Sequence, residues 1–212
     1  MYMTPKKMMY DTLGPTVVKA LEQRLFAAQY CSTAEEAKEA VLSLIEEGKT
    51  VGWGGSQTVD ALGIKDALRQ KGQPLLDRDT APAEEKTAIM KKALTSDIFL
   101  MSSNAVTEDG QLVNLDGNGN RVAALIYGPD KVIVVAGMNK VVPTVEDGII
   151  RTRNWAAPMN AQRFQKGTPC CHTGKCGDCK SPDSICASLV ITRLCKHPGR
   201  IHVILVGEDM GM

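Results

Sequence analysis

Apolar positions recur along this chain in two alternating periods. Val17, Val18, Leu21, Leu25 and Phe26 fall at helical spacing and predict an N-terminal helix. Ser32 and Glu35 have the spacing of a capping box. They predict a second helix that runs through Ala40, Val41, Leu44 and Ile45 and stops at Gly48. Short apolar runs at Thr50–Trp53, Leu75-Leu76, Ile98–Met101 and Ile201–Val206 predict strands. Val132–Val135 is apolar at every position, as a strand buried on both faces requires. Helical segments are expected from the turn after Trp53 to about Gln70, from Pro82 to about Leu94, over Val145–Trp155 and over residues 185–195. Residues 106–115 predict a hairpin turning at Asp109-Gly110, while Val122–Ile126 fits strand or helix. Strands alternating with helices predict one α/β domain over residues 1–212 with a mainly parallel sheet.

Composition narrows the function classes. A chain of 212 residues is long enough for one large domain with a sizeable core. Its net charge of +1 argues against a nucleic-acid groove or a basic membrane surface. No stretch approaches the ~20 apolar residues of a membrane span, so no membrane association is expected. The basic N-terminus is not followed by an apolar segment of the secretory type. Seven cysteines, an odd number concentrated in one loop, fit a disulfide framework poorly. A cytoplasmic location, where thiols stay reduced, is the expectation.

Five of those cysteines lie between residues 170 and 186, on a segment punctuated by Gly and Pro. Cys176 and Cys179 form a C-x-x-C pair, and Gly177 between them permits the tight backbone that turns both sulfurs to one point. Four thiolates from so short a segment suit either a cubane 4Fe-4S cluster or tetrahedral zinc. Neighbouring side chains diverge in extended backbone, so Cys170 and Cys171 need not both be ligands and the fourth ligand stays open between them. The loop 168–186 reads as a metal site inserted before the last helix and strand.

Two polar constellations accompany it. Gly54, Gly55, Ser56 and Thr58 lie in a turn between strand and helix, where free amides and hydroxyls can hold an anion; the same turn also reads as a simple helix cap at Ser56. It lacks the spacing of a nucleotide-binding glycine loop. Asn104, Thr107, Glu108 and Asp109 precede Asp116, Asn118, Asn120 and Arg121. The carboxylates there can act as acid or base if desolvated, and Arg121 can grip a carboxylate or phosphate with two bonds. Asp-Gly and Asn-Gly are also common turn dipeptides. Lys140 follows the strongest strand, as an anion contact or a solvated lysine.

Taken together, Asn104–Gly110, Asn114–Val122, Tyr127-Gly128-Pro129 and Gly137–Lys140 resemble the LUD family, the lactate-utilization domain proteins. So do Arg151-x-Arg153-Asn154-x-Ala156-Ala157-Pro158-x-Asn160 and the Thr168-Pro169-Cys170 segment with its C-x-x-C and later Cys186. The likeness runs from about residue 10 onward, to the branch that carries the cysteine loop. It implies a three-layer α/β/α fold like that of the sugar-phosphate isomerase and CoA-transferase superfamily. There the first Gly-rich turn, Thr107–Asp109 and Asn118–Arg121 surround the ligand. The branch typically has alanine where this chain has Cys171, which favours Cys170, Cys176, Cys179 and Cys186 as ligands. The implied function is an iron–sulfur protein of lactate or other organic-acid oxidation, working with redox partner subunits and binding a small anion. If so, the cysteine loop folds over the strand ends and sets its metal near Ser56 and Asp109. Fold alone dictates no chemistry, and no flavin or nicotinamide fingerprint is present. The alternatives are an isomerase or acyl-transfer enzyme with Glu108 or Asp109 as base and a structural metal, or an anion-binding regulatory module. The oligomeric state is open, a homo-oligomer included.

Overall fold

The structure, a computed structural model, describes residues 4–212. Helix α1 (Pro5–Gln23) starts at Thr4, whose hydroxyl accepts a bond from the Lys7 amide. It ends two residues earlier than its apolar stripe suggests, because Leu25 takes a left-handed φ of 63° and turns the chain. Strand β1 (Ala27–Cys31) follows; its weak alternation of apolar residues gave no signal in the sequence. Helix α2 (Ala34–Ser43) is capped by Thr33 rather than Ser32, and Glu36 reaches back to the Ser32 amide, so the cap lies one residue later than expected.

Beyond it lie β2 (Val51–Trp53), α3 (Gln57–Ala61), α4 (Ile64–Gln70), β3 (Leu75–Leu76) and α5 (Lys86–Lys92). Strand β4 (Ile98–Met101) leads to the hairpin β5 (Ala105–Thr107) and β6 (Leu112–Asp116), which turns at Gly110 with φ 85°. Residues 120–126 are helical, as α6 (Asn120–Ile126). Then come β7 (Lys131–Gly137), β8 (Val141–Val142) and α7 (Val145–Arg151). A π-helical turn (Thr152–Ala156) joins α7 to α8 (Ala157–Phe164), and the short α9 (Pro169–Thr173) opens the cysteine loop. The chain closes on β9 (Ser188–Thr192) and β10 (Ile201–Val206).

Residues 185–195 are therefore not a helix. Their period is two, with Leu189 and Ile191 exposed and Ser188, Val190 and Thr192 half-buried, and the β-branched residues pair antiparallel with β6.

The main sheet is parallel throughout, in the order β1-β10-β7-β4-β2-β3. Its central strands are apolar on both faces, and the pleat divides them cleanly. Phe99, Met101, Val132, Val134, Val203 and Leu205 face one way and pack with Val17 and Leu21 of α1 and Leu125 of α6. Ile98, Leu100, Ile133, Val135 and Ile204 face the other way and pack with Val41 of α2, Val59 of α3 and Leu68 of α4. Two cores on opposite faces make the three-layer α/β/α architecture. The second sheet, in the order β8-β5-β6-β9, stands beside the first and carries the loops on which the site depends. Among the described residues no helix is long and apolar enough to cross a membrane.

Candidate functional site

Parallel strands deliver their following loops to one edge of a sheet. Here the turns after β2, β4 and β7 meet around a cavity of about 450 Å³. The first turn contributes Gly55, Ser56 and Thr58, the second Ser102, Ser103 and Asn104, and the third Lys140. The end of β6, the loop after it and the start of α6 add Asp116, Asn118, Asn120 and Arg121. Ser56 also caps α3, its hydroxyl accepting from the Val59 amide at 3.2 Å, so the turn is both cap and cavity wall.

Arg121 is the hub that ties these loops together. Its guanidinium donates to Ser102 O at 2.8 Å, Asn104 Oδ1 at 2.9 Å, Asn114 Oδ1 at 2.5 Å and Leu115 O at 2.8 Å. Asp116 Oδ2 stands 3.4 Å from its Nε. The same carboxylate accepts from the amides of Gly119 and Val122 and so anchors the start of α6. With its donors committed to the protein, Arg121 shapes the cavity more than it grips a ligand.

Lys140 is buried, 4% exposed, and is not a solvated lysine. Its Nζ donates to Thr58 Oγ1 at 2.8 Å and Ser102 Oγ at 3.0 Å. Burial, with the positive charges of Arg151 and Arg121, lowers its pKa to about 7. Arg78, Arg163 and Lys166 line the cavity farther out, whereas its carboxylates, Asp116 and Asp183, lie beside Arg121 and Lys166 respectively. Basic side chains outnumber carboxylates along this cavity.

Against it lies a second cavity, of about 220 Å³, lined by Cys170, Cys176, Cys179 and Cys186 together with Leu115, Ala157, Pro158 and Leu189. Cys171 does not line it; its sulfur lies 3.4 Å from Thr168 Oγ1. The pKa of Cys186 is pushed up to about 11, first by burial and then by the proximity of Cys176, Cys170 and Cys179. The neighbouring sulfurs oppose a negative charge on Cys186, and a bound metal cation would relieve that opposition. Arg153 Nη2 approaches Cys176 Sγ at 3.9 Å and pairs with Asp178 at 2.6 Å. Among the described residues, no three His, Cys, Asp or Glu side chains converge on the position of a single ion. The thiols ring a space instead. An all-sulfur donor set around an apolar-walled space fits a thiolate-held cluster.

The two cavities share a wall. Leu115 lines both, and Pro182–Ile185, immediately before Cys186, line the cationic cavity. Pairing of Asp116 with Ser188 and of Leu115 with Leu189 pins the end of the cysteine loop there. On the helical side, Arg153, Ala157 and Pro158 face the thiols while Ala156, Asn160 and Arg163 face the cationic cavity. The π turn makes this division possible. The Ala157 amide donates to Thr152 O, five residues back, and Pro158 has no amide to restore the tighter spacing.

Four expected site residues lie elsewhere. The Gly54 amide is spent on Leu100 O in the sheet ladder, and the aliphatic stem of Arg121 covers its Cα, leaving no room for a ligand. Thr107 closes the hairpin turn, accepting from the Gln111 amide at 2.8 Å and bonding Asp109. Glu108 and Asp109 are exposed on that turn. Asp109 pairs with Arg24 at 2.5 Å, and against the raising effect of partial burial its bonds to Thr107 and Gln111 and the Arg24 charge keep its carboxyl ionised below the usual range. Neither carboxylate reaches the cavity as a base, because the hairpin turns away from the strand ends. Conversely, Arg78, Ser102, Ser103, Asn160, Arg163 and Lys166 line the cavity without having been expected. For Ser102 and Ser103 the signal was present, since they directly follow a strongly apolar strand; for the others only packing reveals it.

This is an α/β protein with a cationic cavity at the strand ends and a thiol cavity built against it. The LUD domain family model matches residues 15–206, and the chain belongs to that family. A DUF162 family protein from Deinococcus radiodurans, 15% identical, superposes with a TM-score of 0.55 over 93% of this chain and 98% of its own, a likeness of fold. The eIF2B delta subunit from Chaetomium thermophilum superposes at only 0.33, with 16% identity, over 50% of this chain and 47% of that one. None of the curated proteins matches the sequence.

Proposed function

We propose that this LUD-domain protein carries an iron–sulfur cluster on Cys170, Cys176, Cys179 and Cys186 and acts on a small organic acid, lactate or a relative, in redox metabolism with partner subunits. The observation that carries this reading is the shared wall: Leu115 and the segment Pro182–Cys186 border both the thiol cavity and the cationic cavity. When bound, such a cluster supplies one-electron transfer. The chain's own residues do the rest. Arg121 holds the loops in register, the outer cations Arg78, Arg163 and Lys166 draw an anion toward Lys140, and Leu115 with Ile185 keeps water from the partition between the sites.

Anaerobic purification tests it. The protein is expected brown, with about four iron and four sulfide per chain and a reducible centre. Cys176→Ser, Cys179→Ser or Cys186→Ser should abolish the iron, and Cys171→Ser should keep it. A colourless protein with one zinc, or iron lost with Cys171→Ser but kept with Cys170→Ser, would overturn the cluster or its ligand set respectively.

A further inference from the structure

Lys140 poses a hydrogen-bonding question that its surroundings answer. Its two partners are hydroxyls, and each hydroxyl proton has its own acceptor: Thr58 Oγ1 donates to Met210 O at 3.3 Å, and Ser102 Oγ donates to Ser103 O at 3.2 Å. Both hydroxyls are thus free to accept from Lys140. A neutral amine has two N–H groups and one lone pair; an ammonium has three N–H groups and none. The two hydroxyls satisfy the neutral amine in full and leave its lone pair for the cavity that Lys140 lines. An ammonium would turn its third N–H into that cavity instead.

The charged groups around it agree. Arg121 from α6 and Arg151 from α7 both oppose a positive charge on Lys140, and among the described residues no side-chain carboxylate offsets them. Arg151 is itself occupied with Asn104 O at 2.6 Å and Asn139 O at 3.1 Å. Of the cavity's carboxylates, Asp116 serves Arg121 and the amides of α6, and Asp183 lies 4.0 Å from Lys166. Arg78 and Arg163 add further positive charge along the cavity.

We propose that Lys140 is a proton-coupled anion receptor, standing as a neutral amine in the free cavity and taking up one proton as the anionic head of an oxyacid ligand enters. The balance is simple: amine, proton and anion become an ammonium paired with the anion, and the third N–H acquires its acceptor from the ligand. The proton comes from solvent, or from the ligand's own carboxyl if it enters as the acid. No oxidant is involved. The proposal rests on the reading of this cavity as the ligand site, and is independent of the metal.

The test is NMR of protein labelled with ¹³C,¹⁵N-lysine, with the Lys140 side-chain resonance assigned by its absence in Lys140→Arg. The titration runs with and without sulfate, which does not itself titrate between about pH 5 and 9, and then with L-lactate. Lys140 is expected to titrate near 7 in the free protein. With either anion present its midpoint should rise above about 8, because the bound anion favours the charged form. Sulfate affinity in the wild-type protein should then fall about tenfold per pH unit above the free midpoint, and Lys140→Met should lose that slope. A Lys140 that stays an ammonium through about pH 9 in the free protein, or whose midpoint neither anion moves, overturns the proposal. Iron measured on the same samples separates this outcome from a failure of the cluster reading.

Discussion

A single side chain, Arg121, holds the ligand cavity in shape. Its four acceptors come from two segments, the turn after β4 and strand β6, and none is a simple counter-ion. The bond it makes to Asn114 Oδ1 coexists with an Asn114 Nδ2 that is buried without a partner, a local cost accepted beside the cavity. Removing Arg121 would leave Asp116 and several largely buried oxygen acceptors without their donor. Arg121→Ala is expected to cost about 3–5 kcal/mol, as for breaking a buried charge pair, and urea unfolding reads it. Arg121→Lys should recover less than half, since one ammonium cannot span the fork of acceptors. A loss under about 0.5 kcal/mol in the alanine variant would mean that the loops are held some other way.

At the scale of elements, β9 decides where the cysteine loop goes. Its pairing with β6 runs from Leu112↔Thr192 to Asp116↔Ser188, so the loop returns to the sheet beside the residues that start α6. The α7–α8 segment supplies the opposite wall through its π turn. The loop is held at both ends but packs few apolar side chains of its own, so a bound metal would be its main internal support. In Cys179→Ser protein, hydrogen exchange is expected to speed up across residues 168–192 and to stay unchanged in β4, β7 and β10. Mass spectrometry of peptides from the two regions checks this; faster exchange throughout the main sheet would show that the metal supports the whole fold instead.

Across the whole molecule, stability rests on two cores separated by one sheet. Phe99 and Val203 belong to the core against α1 and α6, and Ile133 belongs to the core against α2, α3 and α4. Side chains on opposite faces share no partners, so their losses should add. Ile133→Val and Val203→Ala are expected to destabilise by about 0.5–1.5 and about 1–3 kcal/mol respectively. The double variant should equal the sum within about 0.5 kcal/mol. A larger discrepancy in the urea midpoints would show the sheet transmitting strain from one face to the other.

The sequence by itself determined the local features. Runs such as Val132–Val135 and Ile98–Met101 cannot be solvated on either face, which dictates central parallel strands, and the crowding of thiols between residues 170 and 186 is plain without any structure. Asn104, Asp116, Asn118, Asn120, Arg121 and Lys140 were all visible as candidates and do line one cavity. Tertiary structure alone decided three things. It turned Glu108 and Asp109 outward, because the hairpin bends away from the strand ends and Arg24, distant in sequence, takes the Asp109 carboxylate. It made residues 188–192 a strand, because their β pairing depends on a partner some seventy residues earlier in the chain. And it made Lys140 chemically unusual. A lysine after a strand is ordinarily solvated; only the convergence of Thr58, Ser102, Arg121 and Arg151 from separate elements removes its water, denies it a counter-ion and lowers its pKa. Period and composition encode what a segment does with its own backbone, whereas desolvation and charge proximity exist only once distant segments meet.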